Sequence, residues 1–169
     1  MERKAKKMEK KSAQEFYTVR GYQLLEQHKA HLTPSLEDYL EMIYRRIHED
    51  GYVRAVSLAE WLNVQPPSVS KMLHRLAQLR LIEYQKYGVI SMTDQGQEIG
   101  KYLLWRHNTV HRFLYLLRGD SKRDFLEEAE LVEHGFSRET MDYLSMLTEF
   151  LECHEKEYNS FLRSFPEGK

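Results

Sequence analysis

Two short amphipathic segments, separated by only three residues, constrain this fold more than any other feature of the sequence. They lie within VSLAEWLNVQPPSVSKMLHRLAQLRLI, residues 56–82. We expect Ser57 to cap the first helix, residues 63–65 to form a tight turn, and Pro66-Pro67 to open the second helix. Apolar positions recur at helical spacing in both segments, namely Leu58, Ala59, Leu62, Val69, Met72, Leu73 and Leu76. Two short helices joined in this way have the geometry of a helix-turn-helix.

The flanking segments extend this motif to a winged helix. The preceding segment, residues 32–50, has a helix start signal, because Thr33 can serve as N-cap and a proline occupies the first helical position. After the motif, two short strands are predicted at about 82–85 and 89–92, around a turn at Tyr87-Gly88. Helix, helix-turn-helix and β-hairpin together predict a winged helix.

The second helix of such a motif enters the major groove of DNA, and the wing touches the backbone or the minor groove. Helix-turn-helix geometry also occurs in proteins that bind no DNA, and this segment is not strongly basic. With few basic residues per subunit, dimerisation would help affinity for DNA. The predicted DNA-contacting residues are Pro66, Pro67, Ser68, Ser70, Lys71, His74, Arg75, Lys86 and Tyr87.

The C-terminal half is predicted to be helical. Thr93 and Asp94 can cap a long helix, and two more helices are expected at roughly 121–134 and 137–160. The apolar faces of these helices exceed what a lone three-helix lobe needs, which predicts a homodimer. The fold class is therefore mainly α with a small β-wing, an N-terminal winged helix-turn-helix domain followed by a helical dimerisation domain. The expected divisions are a basic arm and extra helix (1–32), the DNA-binding domain (33–96), the metal-binding and dimerisation domain (97–160) and a tail (161–169).

Composition narrows the possible partners and compartments. Cys153 is the single cysteine, which excludes an intrachain disulfide and any multi-cysteine metal site. The sequence has no apolar run of membrane-spanning length and no signal-peptide pattern after its basic N-terminus, so we expect a cytoplasmic protein that does not contact a membrane. The net charge of −1 combines +4 for residues 1–30, −1 for residues 31–96 and −4 for residues 97–169. A basic N-terminal segment and an acidic C-terminal half are typical of a protein that binds a polyanion with one part of the chain and cations with the other.

Carboxylates and histidines recur at helical spacing in three places. In AELVEHGF, residues 129–136, two glutamates and a histidine lie three and four residues apart on one helix face. Asp38 and Glu41 share a face of the first helix, bordering its apolar stripe, and His107 lies in the long helix. Each feature also has an ordinary explanation: a solvated acidic face, acids favoured by the helix dipole, or a hydrogen-bonded histidine. These residues make a metal site a hypothesis that the pattern alone leaves open.

The combined motifs resemble the diphtheria-toxin-repressor-like family of metal-dependent repressors. The resemblance covers residues 33–155 and is carried by TPSLEDYLEMIY, SLAEWLNVQPPSVSKMLHRL, LIEYQKYGVISMT, QGQEIGKYLLWRH and AELVEH. The sequence departs from the family at Gly135, where a second histidine often stands, and in the extension before Thr33. The roles of both departures are left open.

The resemblance implies a metal-gated repressor, not an enzyme, that binds operator DNA as a homodimer and needs no organic cofactor. It implies a binuclear site of two Mn²⁺ ions per subunit, with Fe²⁺, Co²⁺ or Zn²⁺ also able to bind in vitro. Oxygen donors stand where iron-sensing relatives use cysteine and methionine, and carboxylate-rich sites suit manganese. The implied ligands are Asp38, Glu41, His107, Glu130, Glu133 and His134.

Three other functions compete with this interpretation. The chain could be a repressor of the same family that responds to iron or another divalent metal. A metal-independent winged-helix regulator that binds a small organic ligand is a second alternative. A metallohydrolase is the third, although the sequence contains no HExxH motif and no obvious separate general base.

Overall fold

The structure is a computed structural model, and it describes residues 32–84, 88–117 and 125–164. The predicted basic arm and N-terminal helix lie outside the described residues, apart from Leu32. The predicted wing contacts Lys86 and Tyr87 and the last residues of the predicted tail also lie outside them. Within these ranges the protein is mainly helical with one small antiparallel sheet, which confirms the predicted fold class.

The first described helix, α1, spans Pro34–Asp50 and has the ends that the sequence predicts. The side chain of Thr33 accepts a hydrogen bond from the backbone N–H of Leu36, 3.4 Å away, and Pro34 occupies the first turn. Gly51 ends the helix in the left-handed conformation, with φ of 80°, which glycine adopts without steric cost.

The helix-turn-helix consists of α2, Ala55–Trp61, and α3, Pro66–Gln78. The prediction that Ser57 caps the first of these helices is wrong, because α2 begins at Ala55, with Arg54 as N-cap, three residues before Ser57. The physical reason is a short strand, β1 (Val53–Arg54), that pairs with the wing and delivers the chain directly into α2. Asn63 turns the chain between the helices with φ of 50°.

The wing is a three-stranded antiparallel sheet in the order β1-β3-β2. β2 is Ile82–Glu83, shorter than the predicted 82–85, and β3 is Val89–Met92, as predicted. Val53 pairs with Ile90, and Ile82 pairs with Met92. β1 was not predicted, because two residues are too short to show an alternating pattern.

A 24-residue helix, α4 (Asp94–Leu117), links the winged helix to the C-terminal helices. The Thr93 hydroxyl accepts from the Gly96 N–H at 3.1 Å and donates to the Arg80 carbonyl at 2.7 Å, so it caps α4 and ties it to the wing. A Cβ atom at Gly96 would overlap the carbonyl oxygen of Leu81. The close approach of α4 to the wing therefore requires glycine at this position.

The C-terminal helices differ from the prediction in their bounds. Instead of one helix over 121–134, α5 covers Leu126–Val132 and a 3₁₀ turn follows at Glu133–Gly135; residues 118–124 lie outside the described ranges. The predicted helix over 137–160 is divided into α6, Arg138–Cys153, and α7, Glu155–Arg163. At the break, His154 has a non-helical backbone, with φ of −116° and ψ of 31°. Its Nδ1 lies 2.8 Å from the Phe150 carbonyl, which also accepts from the His154 backbone N–H at 3.1 Å.

The main hydrophobic core lies in the winged helix, where side chains of α1, α2, α3 and the sheet pack together with Leu103 of α4. A smaller cluster of Val110, Ala129 and Met141 joins α4, α5 and α6. Among the described residues, no helix is both long and apolar enough to cross a bilayer. The C-terminal helices expose large apolar side chains, including Tyr143, Met146, Leu147, Phe150 and Phe161.

Candidate metal centre

Three elements that are distant in sequence meet beside the core: the first turns of α1, the middle of α4, and α5 with its 3₁₀ turn. They bring all six predicted metal ligands together in two groups of three. Within each group, one ligand atom from each residue lies within 4.8 Å of the others. The inner group is Glu41, His107 and Glu133, and the outer group is Asp38, Glu130 and His134.

The inner group is buried. Glu133 is 1% exposed, and its Oε2 lies 2.9 Å from Nδ1 of His107. This hydrogen bond raises the pKa of His107 above its ordinary value, although burial opposes the change. Burial raises the pKa of Glu41, and its salt bridge with Arg45 only partly offsets this. Three ionisable groups in so little space favour a compensating cation.

The outer group faces solvent. Nε2 of His134 lies 3.0 Å from Oδ1 of Asp38, and Glu130 is half-exposed. Burial acts to lower the pKa of His134, but the carboxylates of Asp38 and Glu37 outweigh it and raise the value to about 9. Burial and the neighbouring Glu133 raise the pKa of Glu130.

The donor set fits a divalent cation. Four carboxylates and two imidazoles converge without a thiolate, as hard and borderline cations prefer. Oδ1 of Asp38 is buried and has no aligned hydrogen-bond donor, although His134 lies close enough to form an ion pair. Such an oxygen is costly to bury unless a positive charge satisfies it, either the protonated His134 ring or a metal ion that takes the place of its proton.

Two residues of this centre were not predicted from the sequence. Arg106 is 4% exposed, and its guanidinium lies 2.8 Å from Glu37 Oε2 and 3.3 Å from Glu133 Oε1. The same Glu37 oxygen lies 2.8 Å from Nδ1 of His134. The sequence offered one signal for them, because Glu37 directly precedes the predicted ligand Asp38 and Arg106 directly precedes the predicted ligand His107. Successive residues of a helix point about 100° apart, so this signal was too weak to predict that they share the site.

The predicted DNA-contacting residues of α3 lie opposite its buried face. Val69, Leu73 and Leu76 point into the core. Among the predicted contacts in this helix, Ser70 is half-buried and the others are exposed: Pro66, Pro67, Ser68, Lys71, His74 and Arg75. These side chains are accessible to a partner, and their role in DNA binding stays a prediction.

Comparison with known proteins identifies both halves of the chain. Residues 31–90 match the family described as "Iron dependent repressor, N-terminal DNA binding domain". Residues 93–158 match "Iron dependent repressor, metal binding and dimerisation domain". The two matches cover both the winged helix and the elements that carry the six clustered residues.

Individual relatives agree with these matches. The chain is 38% identical to the HTH-type transcriptional regulator MntR of Bacillus pumilus over 71% of its own length and 83% of the relative's. It is also 38% identical to MntR of Bacillus subtilis, covering 84% of that protein. A solved structure of the manganese regulator SloR superposes with a TM-score of 0.61 at 28% identity, over 70% of this chain and 55% of that one. The chain therefore belongs to the iron-dependent repressor family of metal-dependent, DNA-binding transcriptional regulators.

Proposed function

We propose that this protein is a manganese-activated repressor of metal-uptake genes, and that its six clustered residues hold two Mn²⁺ ions per subunit. The observation that carries the proposal is the arrangement of these residues in two adjacent groups, each combining carboxylates with one imidazole. The relative SloR is described as a manganese regulator. Thiolate-free oxygen and imidazole donors agree with that metal.

Charge supports a pair of ions. The six residues carry four carboxylates, and two divalent cations would neutralise them. Glu37 and Arg106 form an ion pair of their own beside these groups, so they leave this charge balance unchanged. Fe²⁺, Co²⁺ and Zn²⁺ are expected to bind in vitro as well, since the stability order of divalent metals places them above Mn²⁺.

The same residues connect DNA binding to metal binding. Asp38 and Glu41 belong to α1, which packs in the core of the winged helix, whereas the other four residues belong to α4, α5 and the 3₁₀ turn. Without cations, the carboxylates of these elements repel one another, which allows α1 to move relative to the C-terminal helices. Bound cations supply the opposite charge, and the ligands then hold the winged helix in one orientation.

Repression follows if two winged helices are held at the spacing of successive major grooves. We propose that the exposed apolar side chains of α6 and α7 form a homodimer interface and that the exposed residues of α3 contact operator DNA in the cytoplasm. Recognition helices about 34–36 Å apart would match one turn of DNA. Cations favour the DNA-bound state only if they bind it more tightly, so operator DNA must in return raise metal affinity.

The test is operator binding measured by fluorescence anisotropy at fixed salt. The probe is a labelled promoter fragment of a manganese-uptake gene from the same genome, titrated with protein in chelator and in Mn²⁺. We expect tight binding only with Mn²⁺, and its loss in Glu130→Ala and His107→Ala proteins that still fold. Arg112→Gln, in a salt bridge outside the site, is the matched control. Equal binding in chelator and in Mn²⁺ would overturn the proposal and favour a metal-independent regulator.

A further inference from the structure

We propose that Glu37 and Arg106 are a pair of positioning residues that orient one metal ligand in each group and so couple the two groups. This inference rests on the proposed function, since it concerns how the same site is prepared for its ions. Neither residue is among the six ligands. Arg106 lies 3.3 Å from Glu133 and 3.0 Å from His134, and Glu37 lies 2.8 Å from His134.

Arg106 fixes the inner group through Glu133. A carboxylate has two equivalent oxygens, and a free side chain could present either one to a cation. Here the guanidinium holds Oε1 at 3.3 Å, which leaves Oε2 directed toward His107 at 2.9 Å. Both side chains are almost fully buried, so the contact is not weakened by competition with water.

Glu37 fixes the outer group through His134. An imidazole that binds a cation through Nε2 must be neutral and must carry its proton on Nδ1. Glu37 Oε2 lies 2.8 Å from Nδ1 and Arg106 Nη2 lies 3.0 Å from it. The guanidinium can only donate, so a proton on Nδ1 is accepted by Glu37. The other ring nitrogen then faces Asp38 at 3.0 Å, so Glu37 selects the tautomer and the ring orientation that suit the outer group.

The contact between Glu37 and Arg106 joins these two effects. Glu37 belongs to α1, Arg106 to α4, and both oriented ligands to the 3₁₀ turn. A guanidinium suits the junction because its Nη2 lies 2.8 Å from Glu37 Oε2 and 3.3 Å from Glu133 Oε1, and because the group stays charged when buried. A lysine would keep the charge, but its side chain is shorter than the path from Cα to Nη2. Loss of either member should therefore disturb both groups.

The experiment measures metal binding directly. Mn²⁺ affinity is determined by electron paramagnetic resonance of the free ion, and ligand geometry by the visible absorption spectrum of bound Co²⁺. The variants are Glu37→Ala, Glu37→Gln, Arg106→Gln and Arg106→Lys, with Arg112→Gln as control. Arg112 also lies in α4 and also pairs with a glutamate of another helix, at 2.6 Å, but outside the site.

We expect Glu37→Ala and Arg106→Gln to weaken Mn²⁺ binding by about 10- to 100-fold, the usual effect of removing a group that orients a ligand. The Co²⁺ spectrum should change in both. Glu37→Gln retains an oxygen acceptor for Nδ1–H and should recover most of the affinity. Arg106→Lys should recover only part of it, and Arg112→Gln should match the wild type.

Two results would overturn the inference. One is wild-type affinity and an unchanged Co²⁺ spectrum in Glu37→Ala. The other is lower affinity with an unchanged spectrum and a lower melting temperature, which would mean that the pair only stabilises the fold. If Arg106→Gln does not fold, the two Glu37 variants still decide, since the Glu37 side chain is 19% exposed, against 5% for Arg106. Failure of the proposed function is distinguishable, because it would show in the wild type itself, as operator binding that does not respond to Mn²⁺.

Discussion

Metal binding by this protein should depend steeply on pH, and His134 sets the expected slope. The carboxylates of Asp38 and Glu37 raise the pKa of this imidazole from 6.5 to about 9 in the metal-free protein. At neutral pH the ring is therefore protonated and pairs with both carboxylates. To bind a cation through Nε2 it must lose that proton, so metal and proton compete for the same atom.

The size of the effect follows from the pKa. At pH 7 the ring is about two pH units below its pKa, which corresponds to about 2.7 kcal/mol, or roughly 100-fold in apparent affinity. Between pH 6 and 8 the affinity should rise about tenfold per pH unit from His134 alone. The pKa of His107 is raised too, by its hydrogen bond with Glu133, so a proton on this ligand also competes with the metal.

Stability of the metal-free protein should change with the opposite sign. A group whose pKa is raised on folding stabilises the folded state fully below its unfolded pKa. For His134 this contribution is complete below about pH 6.5 and is lost as the pH rises through about 9. Raising the pH should thus loosen the metal-free site while it strengthens metal binding.

Isothermal titration calorimetry with Mn²⁺ measures both the affinity and the protons released, if it is repeated in buffers of different ionisation enthalpy. We expect the release of one to two protons near pH 7 and about one fewer in a His134→Ala protein. His48→Gln, a change at an exposed histidine near the other end of α1, is the control and should release as many protons as the wild type. Binding of Mn²⁺ with no proton release and no pH dependence would refute this account of the site.

Three further predictions concern the fold, the dimer and DNA. Gly96→Ala should lower the free energy of unfolding of the metal-free protein, measured in urea, by about 1–3 kcal/mol, because the new methyl group would overlap the Leu81 carbonyl. Gly135→Ala should cost far less, because a Cβ atom there would have nothing within 4 Å. Equal effects would contradict the packing of α4 against Leu81. Phe150→Asp, in the exposed apolar face of α6, should convert the dimer to a monomer, as measured by light scattering, and the monomer should still bind metal. An unchanged dimer would place the interface elsewhere. Lys71→Ala should weaken binding to all DNA sequences alike and should reduce the slope of log affinity against log salt concentration by about one. An unchanged slope would exclude a phosphate contact by Lys71.

The elements with strong end signals were predictable from the sequence. Thr33, Pro34 and Gly51 define α1 by local backbone chemistry, and the structure has the helix ends where they predict them. The break at His154 was not predictable in this way, because the sequence there continues with good helix formers and the apolar pattern does not change. The break is a non-helical backbone conformation at His154, with φ of −116° and ψ of 31°, which a pattern of hydrophobicity does not report.

The candidate metal site, too, was predictable from the sequence in part only. The sequence by itself determined which residues offer donors, because carboxylates and imidazoles at helical spacing must share a face wherever the helix packs. Only the tertiary structure decided how they are grouped, since Asp38 and Glu41, neighbours on α1, belong to different groups. The same packing brings Glu37 and Arg106, 69 residues apart in sequence, into contact. Helical spacing fixes relations within one element, whereas the distances between elements are set by how α1, α4 and the 3₁₀ turn pack against a shared core.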